Sequence, residues 1–290
     1  MIIKVLILLM IAGTAVLFGY WFLNGSSLGP KSFGRDFLYY LKNTPRMLSY
    51  TSKFEQYQGN NNNILFLHHS VGVGFIRDGM LRELLLEKGY QLWDQGYRGD
   101  QLVGPDGVSL GVSYNIPADS TDPDGLYALF SQKRYSLPVN GFSQIMQHDI
   151  IMLKSCYPVS YIQDDTKLKE YQRYYIGIRD VMDQHPDKLF IILTQPPLNP
   201  AATNAEIAKR ARTLAIWLKS DEFVDGHQNL AVFDLFDVLA EQDQSKADAN
   251  MLRADYRSWE DSHPNAMGSA AAAQLIAEFV TEKAKVYQQD

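Results

Sequence analysis

The sequence predicts an α/β fold in which a parallel five-stranded sheet is covered by helices on both faces. Three observations support this prediction. Short apolar runs with the length of buried strands recur after residue 63. Longer segments with a helical period separate these runs. The runs are also apolar throughout, without alternating polar residues, which is typical of strands buried on both faces of a parallel sheet.

We expect strands over five of these runs: Ile64–Leu67, Tyr90–Trp93, Asp149–Leu153, Lys188–Thr194 and Asn229–Leu235. The helical period predicts helices over Gly79–Lys88, Leu168–Met182, Thr203–Leu218 and Ala266–Val286. Thr203, followed three residues later by Glu206, is typical of a capping box at the start of a helix. In sheets of this kind ligands bind beyond the carboxyl ends of the strands, so the residues following each strand are the candidates for chemistry.

Residues 1–23 predict a transmembrane signal anchor. Val5–Leu23 contains no charged residue, and its 19 residues are long enough to cross a bilayer as a helix. A cleaved signal peptide is the alternative, but its apolar stretch would be shorter and would end in small residues. Lys4 and the basic residues further along favour opposite orientations. We expect a single-pass membrane protein whose main domain lies outside the cytoplasm.

Residues 24–62 are predicted to form a basic, aromatic juxtamembrane linker, which can lie against anionic lipid headgroups. A short interfacial helix broken at Pro45 is expected within it. The third predicted segment, residues 63–290, is acidic, because the whole chain carries a net charge of −6 although its N-terminal part is basic. An acidic domain repels phosphate, so we expect no nucleic-acid partner. The single cysteine, Cys156, excludes a disulfide framework.

Ser70 follows the first predicted strand in the segment His68-His69-Ser70-Val71-Gly72. A serine at a strand-to-helix turn can present its hydroxyl to a cleft, and its own backbone N–H can stabilise an oxyanion there. The alternative is that Ser70 only caps the next helix.

Asp261 and His263 occur together just before the last predicted helix. Histidine is the usual base for a serine nucleophile, and a carboxylate beside it orients the imidazole. The alternative is that Asp261 or Asn265 caps the helix while His263 is a surface residue.

The order of these residues resembles that of the SGNH/GDSL hydrolases, in which a serine near the N-terminus is followed by an Asp and a His in one C-terminal motif. The resemblance covers about residues 63–280 and implies a flavodoxin-like three-layer α/β/α sandwich. The segment Gly96-Tyr97-Arg98-Gly99-Asp100 is similar to the family's second block, whose glycine donates its amide to the oxyanion hole. The resemblance therefore assigns that role to Gly99, together with the amide of Ser70.

The sequence departs from the family pattern in three places. The family's usual Gly-Asp-Ser is replaced by His68-His69-Ser70, and we expect His69 to line the cleft. The family's third block supplies an asparagine side chain to the oxyanion hole, whereas this chain has Lys154-Ser155-Cys156. We place Cys156 on the oxyanion side and expect Lys154 and Ser155 to line the cleft. The family's acid lies three residues before its histidine, so Glu260 is the alternative to Asp261.

Two features of the sequence could instead bind a metal ion. His68 and His69 are adjacent, and neighbouring side chains at a strand end point in opposite directions, which disfavours one shared ion. The acidic segment Ala118–Gly125 lacks the spacing of an EF-hand and is predicted to be an ordered loop at the cleft edge. We expect no metal and no other cofactor.

These features together predict a membrane-anchored serine hydrolase with Ser70 as nucleophile, His263 as general base and acid, and Asp261 as the residue that orients His263. The expected substrate is a small acyl ester, and family habit suggests an O-acetyl group on a cell-envelope glycan. An acyltransferase that uses the same acyl-enzyme is the nearest alternative. A non-catalytic binding or scaffold protein on a decayed hydrolase fold is the alternative from a different class.

Overall fold

The computed structural model describes residues 12–16, 18–19, 39–50, 62–117 and 122–288. Its centre is a parallel five-stranded sheet with the strand order β2-β1-β3-β4-β5. The strands are β1 (Asn63–Leu67), β2 (Gln91–Gln95), β3 (Ile150–Lys154), β4 (Leu189–Leu193) and β5 (Leu230–Phe233). This order is the flavodoxin-like one. The prediction of a parallel five-stranded α/β sheet is confirmed.

The strands are apolar throughout because both faces of the sheet are covered. Successive side chains of a strand point to opposite faces, so in β1 Leu65 and Leu67 join one core cluster while Ile64 and Phe66 join the other. The helices over the first cluster are α3 (Pro123–Phe130), α4 (Gly141–Ile145), α5 (Asp165–Met182), α6 (Ala205–Leu218) and α7 (Asp221–Val224). Those over the second are α1 (Ser70–Arg77), α2 (Leu81–Glu87), α8 (Leu235–Leu239) and α9 (Ala266–Tyr287). The molecule is a three-layer sandwich.

Helix α9 packs closely against α1 and α2 because its buried face is built from small residues. Ala272, Ala273 and Ala277 on this face are fully buried. Gly79, between α1 and α2, has no room for a side chain, since a Cβ there would lie 2.6 Å from the Cβ of Ala273. This close approach brings the start of α9 next to the start of α1, where the candidate site lies.

The observed helices differ from the predicted ones at two points. The capping box of Thr203 with Glu206 is wrong: α6 begins at Ala205, and the side chain of Asn204 accepts the N–H of Ile207 at 3.0 Å. The sequence does not predict α3, α4, α7 or α8. These helices have between 4 and 8 residues each, which is too few to display a helical period.

The helical residues 39–50 pack on the sandwich, which differs from the predicted linker. Met47 is fully buried in the core, and the Asn43 side-chain amide donates to Asn115 Oδ1 at 3.0 Å. Pro45 lies within these helical residues and does not break them. Asn43 and Met47 of this segment therefore contact the domain, while Leu41 and Lys42 are exposed. Residues 24–38 and 51–61 of the predicted linker lie outside the described residues.

Most of the predicted signal anchor, residues 1–23, lies outside the described residues. Within the part of the chain that the structure describes, every helix is too short or too polar to span a bilayer.

Candidate active site

Ser70, His263 and Asp261 meet at the carboxyl edge of the sheet. Ser70 Oγ lies 2.6 Å from His263 Nε2, and His263 Nδ1 lies 2.6 Å from Asp261 Oδ1. With the proton on Nδ1, the Ser70 hydroxyl donates to His263 and His263 donates to Asp261. This is the hydrogen bonding that a Ser-His-Asp triad requires. The structure thus brings together the three residues that the sequence predicts as catalytic.

Ser70 is the first residue of α1, three residues beyond the end of β1. The extended residue His69 is the N-cap of this helix, and no side chain caps it. The Ser70 hydroxyl therefore bonds His263 instead of capping the helix. Its backbone N–H has no intrahelical acceptor and donates to the Tyr97 hydroxyl at 3.4 Å.

A buried polar network holds the turn beneath Ser70. His68 Nε2 lies 3.0 Å from Asp94 Oδ2 on β2, and Arg82 of α2 donates to the other oxygen of Asp94. A side chain at Gly72 would meet this network, because a Cβ there would lie 2.4 Å from the Cβ of His68. His68 thus ties α1 to β2 and α2. The described residues contain no group of three or more His, Cys, Asp or Glu that could hold a metal ion, and residues 118–121 of the acidic segment lie outside them.

The turn that carries Asp261 and His263 is held from below by Asn199. This buried residue follows β4, and its side-chain amide donates to the carbonyls of Trp259 at 2.9 Å and Asp261 at 3.0 Å. The Ser262 hydroxyl accepts the backbone N–H of Asn199 at 3.0 Å. These three bonds fix the backbone on both sides of the carboxylate, so Asn199 positions Asp261 through the turn.

Asp261 is free to act on His263 because Asn265 caps α9, accepting the N–H of Gly268 at 3.0 Å. Asp261 also accepts the backbone N–H of His263 at 3.0 Å. Burial raises the pKa of Asp261, but the hydrogen bonds from the side chain and backbone of His263 lower it by more, so the pKa lies below its ordinary value. Glu260 is exposed, and the carboxylate in contact with His263 is that of Asp261.

A cleft of about 530 Å³ opens at Ser70 and His263. The ring of Tyr157 lies edge-on to the imidazole of His263, with centroids 5.1 Å apart. The hydroxyl of Tyr97 lies 3.3 Å from Ser70 Oγ. The side chain of His263 is 34% exposed, so the reacting atoms are within reach of a substrate from solvent.

Gly99 has a φ of +92°, a conformation that favours glycine. The segment around it packs against the helical residues 39–50, with the Arg98 guanidinium 4.8 Å from the centroid of the Tyr39 ring. The role of the Gly99 amide in an oxyanion hole stays a prediction. The other predicted oxyanion donor, the N–H of Ser70, points into the cleft, 3.4 Å from the Tyr97 hydroxyl.

Four residues that were expected around the cleft lie buried beneath it: His69, Lys154, Ser155 and Cys156. Each of them is at most 4% exposed, because side chains at the end of a central strand point into the packed layers. Ser155 Oγ is hydrogen-bonded to the Tyr175 hydroxyl at 2.7 Å. Burial, with the charge of Lys154 nearby, lowers the pKa of His69 to about 2. Burial lowers the pKa of Lys154 to about 8, and Cys156 partly opposes this effect.

Sequence reasoning missed three residues that the structure places at the site, namely Tyr97, Tyr157 and Asn199. Tyr97 lies inside the segment that contains Gly99, and Tyr157 directly follows Cys156, so their positions after strands are a usable signal. Asn199 has no local signal, because its partners are more than 55 residues away along the chain.

Comparison with solved structures finds proteins of hydrolase type at low identity. The chain is similar to a protein from Bacteroides fragilis assigned as an acylhydrolase (13% identity, 81% of this chain and 95% of that one, TM-score 0.47). It is also similar to a GDSL-like lipase from Bacteroides thetaiotaomicron (10% identity, 81% and 97%, TM-score 0.43). A third similar structure is a protein from Streptococcus pneumoniae provisionally described as a platelet activating factor (15% identity, 83% and 94%, TM-score 0.46).

No protein-family profile matches the chain, and no curated protein matches it. At TM-scores below 0.5 the similar structures say nothing about activity or substrate. The chain's own strand order, and the positions of Ser70, Asp261 and His263 along it, follow the pattern of an SGNH/GDSL hydrolase-like fold.

Proposed function

We propose that this protein is a serine hydrolase that cleaves small acyl esters. The proposal is supported above all by the unbroken hydrogen-bond path from Ser70 through His263 to Asp261 at the mouth of an open cleft. A serine hydroxyl is a weak nucleophile until a base takes its proton. The 2.6 Å contact with His263 Nε2 supplies that base at the distance that proton transfer needs.

In the proposed reaction Ser70 Oγ attacks the ester carbonyl while its proton passes to His263 Nε2. The ionised Asp261 stabilises the imidazolium that forms and keeps the ring in place. His263 then gives the proton to the leaving alcohol, and an acyl group remains on Ser70. Water, deprotonated by the same imidazole, attacks this acyl-enzyme and releases the acid.

We also propose that the protein is anchored in the membrane and acts on the cell envelope. The uncharged run Val5–Leu23 and the basic stretch after it support a single-pass anchor with the catalytic domain outside the cytoplasm. A domain held there meets the cell envelope, which supports an O-acetylated envelope glycan as substrate. Retention of the full chain in membranes after alkaline carbonate washing, with the domain digested only by protease added from outside, is the expected result.

The catalytic proposal is tested by labelling the full-length chain, purified in mild detergent, with a fluorophosphonate and locating the modified residue by mass spectrometry. We expect the label on Ser70 and its loss in both Ser70→Ala and His263→Ala. Ser245→Ala, which changes an exposed serine outside the cleft, is the matched control and should label like the wild type. A well-folded wild type that takes no label would overturn the hydrolase proposal and favour a binding protein.

Hydrolysis of p-nitrophenyl acetate by the same proteins gives the second measurement. Release of free acetate supports the hydrolase. Transfer of the acetyl group to an added sugar in preference to water would instead identify the acyltransferase.

A further inference from the structure

The oxyanion formed at Ser70 needs a donor in the place where the family's third block supplies an asparagine, and the residues there do not supply one. Ser155 Oγ is engaged with the Tyr175 hydroxyl. Cys156 is buried beneath the cleft. The removal of one oxyanion donor typically lowers the rate by about 10²–10³-fold. An active enzyme with this site therefore requires another donor close to the Ser70 N–H.

The Tyr97 hydroxyl occupies the place of such a donor. It accepts the backbone N–H of Ser70 at 3.4 Å and donates to Ser70 Oγ at 3.3 Å. Without a substrate, the two donors are thus paired with each other and with the nucleophile. The carbonyl oxygen of a bound ester, which lies next to Ser70 Oγ, can replace these long contacts and accept from both Ser70 N–H and Tyr97 O–H.

Tyr97 is also held in place before a substrate arrives. Its backbone N–H donates to Asp100 Oδ2 at 2.7 Å, and the Asp100 N–H donates back to the Tyr97 carbonyl at 2.9 Å. Its ring packs on the ring of His69, with centroids 5.0 Å apart. Burial keeps the pKa of His69 near 2, so the ring beneath Tyr97 is neutral. A ring held in this way needs only its O–H to turn from Ser70 Oγ to the carbonyl oxygen, and such limited reorganisation favours effective charge stabilisation.

We propose that the Tyr97 hydroxyl is the second oxyanion donor, in the role for which the resemblance predicts an asparagine; this rests on the proposed serine hydrolase function. As the Ser70 Oγ–carbon bond forms, the carbonyl π electron pair moves onto the oxygen, which accepts hydrogen bonds from Ser70 N–H and Tyr97 O–H. When the intermediate collapses, this pair re-forms the C=O bond and the leaving alcohol departs with the proton from His263. Tyr97 donates a hydrogen bond throughout and keeps its proton.

Tyr97→Phe tests this role, because it retains the ring and its packing and removes only the O–H. We expect kcat for p-nitrophenyl acetate to fall about 10²-fold or more, with KM and the melting temperature little changed. Tyr161→Phe is the control, since Tyr161 is an exposed tyrosine outside the cleft. A trifluoromethyl ketone, which forms a tetrahedral adduct with the serine, should lose affinity in Tyr97→Phe by a factor similar to the loss in kcat/KM.

The outcomes separate this role from the proposed function. If the wild type is labelled at Ser70 and hydrolyses the ester, and Tyr97→Phe has the same kcat, only the role of Tyr97 is overturned. A faster Tyr97→Phe would overturn it as well and would show that the hydroxyl obstructs the site. A wild type with neither label nor turnover would overturn the hydrolase proposal and, with it, the role of Tyr97.

Discussion

The Ser70 hydroxyl and the His263 imidazole are 2.6 Å apart although 193 positions separate them in the chain. Ser70 stands at the start of α1 and His263 just before α9, so the packing of these two helices sets the distance. The alanine-rich face of α9 and the absence of a side chain at Gly79 permit that packing. The contact between Ser70 and His263 is therefore a product of the core packing on one face of the sheet.

Asp261→Asn should lower kcat by about 10²- to 10⁴-fold with little effect on KM, because the amide removes the charge that stabilises the imidazolium. Glu260→Gln is the matched control: it neutralises the neighbouring, exposed carboxylate and should leave kcat near the wild-type value. Steady-state kinetics on p-nitrophenyl acetate measures both. A larger loss in Glu260→Gln than in Asp261→Asn would contradict the assignment of Asp261.

The rate should depend on the loss of one proton at acidic pH. The hydrogen bonds from His263 hold the pKa of Asp261 below its ordinary value, so Asp261 stays ionised to a lower pH than a free aspartate does. Only the protonated imidazole then blocks the reaction, since it cannot accept the Ser70 proton. We expect log kcat/KM to rise with pH with a slope of one and then to level off. A slope of two would show that a second group has to lose a proton in the same range.

Arg82→Met should destabilise the fold strongly, because it leaves Asp94 buried with only His68 as a partner. Breaking a buried ion pair by removing one member typically costs about 3–5 kcal/mol. Arg77→Met is the comparison: Arg77 forms an exposed pair with Asp78 on α1 and should leave the free energy of unfolding unchanged within error. Urea unfolding measures both variants, and equal effects would show that the Asp94 network does not stabilise the turn.

The sheet was predictable from the sequence because its signal is local. Each strand is a short run of mostly apolar residues, because both of its faces are buried and neither needs polar side chains. The turn residues Ser70 and His263 were also recognisable, since few residue types can act as a nucleophile or as its base.

What was missed depends on contacts between distant segments. Lys154 and Ser155 were expected to line the cleft, but a strand-end residue faces either the cleft or the packed layers, and only the neighbouring helices decide which. In the segment after β2, the resemblance points to Gly99 and gives no role to Tyr97. The contact of Tyr97 with Ser70 exists only because β2 pairs with β1. Asn199 supports Asp261 from a different strand end.

Lys154→Met should stabilise the protein near neutral pH, because the wild type buries an ammonium group completely. Burial lowers the pKa of Lys154 from 10.5 to about 8, so between these values the unfolded chain binds a proton that the folded chain has lost. The stability of the wild type therefore rises with pH across this window, and below it the charged group costs up to about 3 kcal/mol.

We expect the free energy of unfolding of Lys154→Met to exceed that of the wild type by about 2–3 kcal/mol at pH 7. Loss of the hydrogen bond from Nζ to the Ser155 carbonyl reduces the gain to this value. The gain should shrink steadily as the pH approaches 9.5. Measurement should stop there, because the raised pKa values of Tyr114 and Tyr175 give the opposite pH dependence above pH 10. Lys283→Met, at a more exposed lysine, should show a difference that does not change with pH. A gain for Lys154→Met that stays constant from pH 7 to 9.5 would show that Lys154 does not lose its proton in the folded protein within this range.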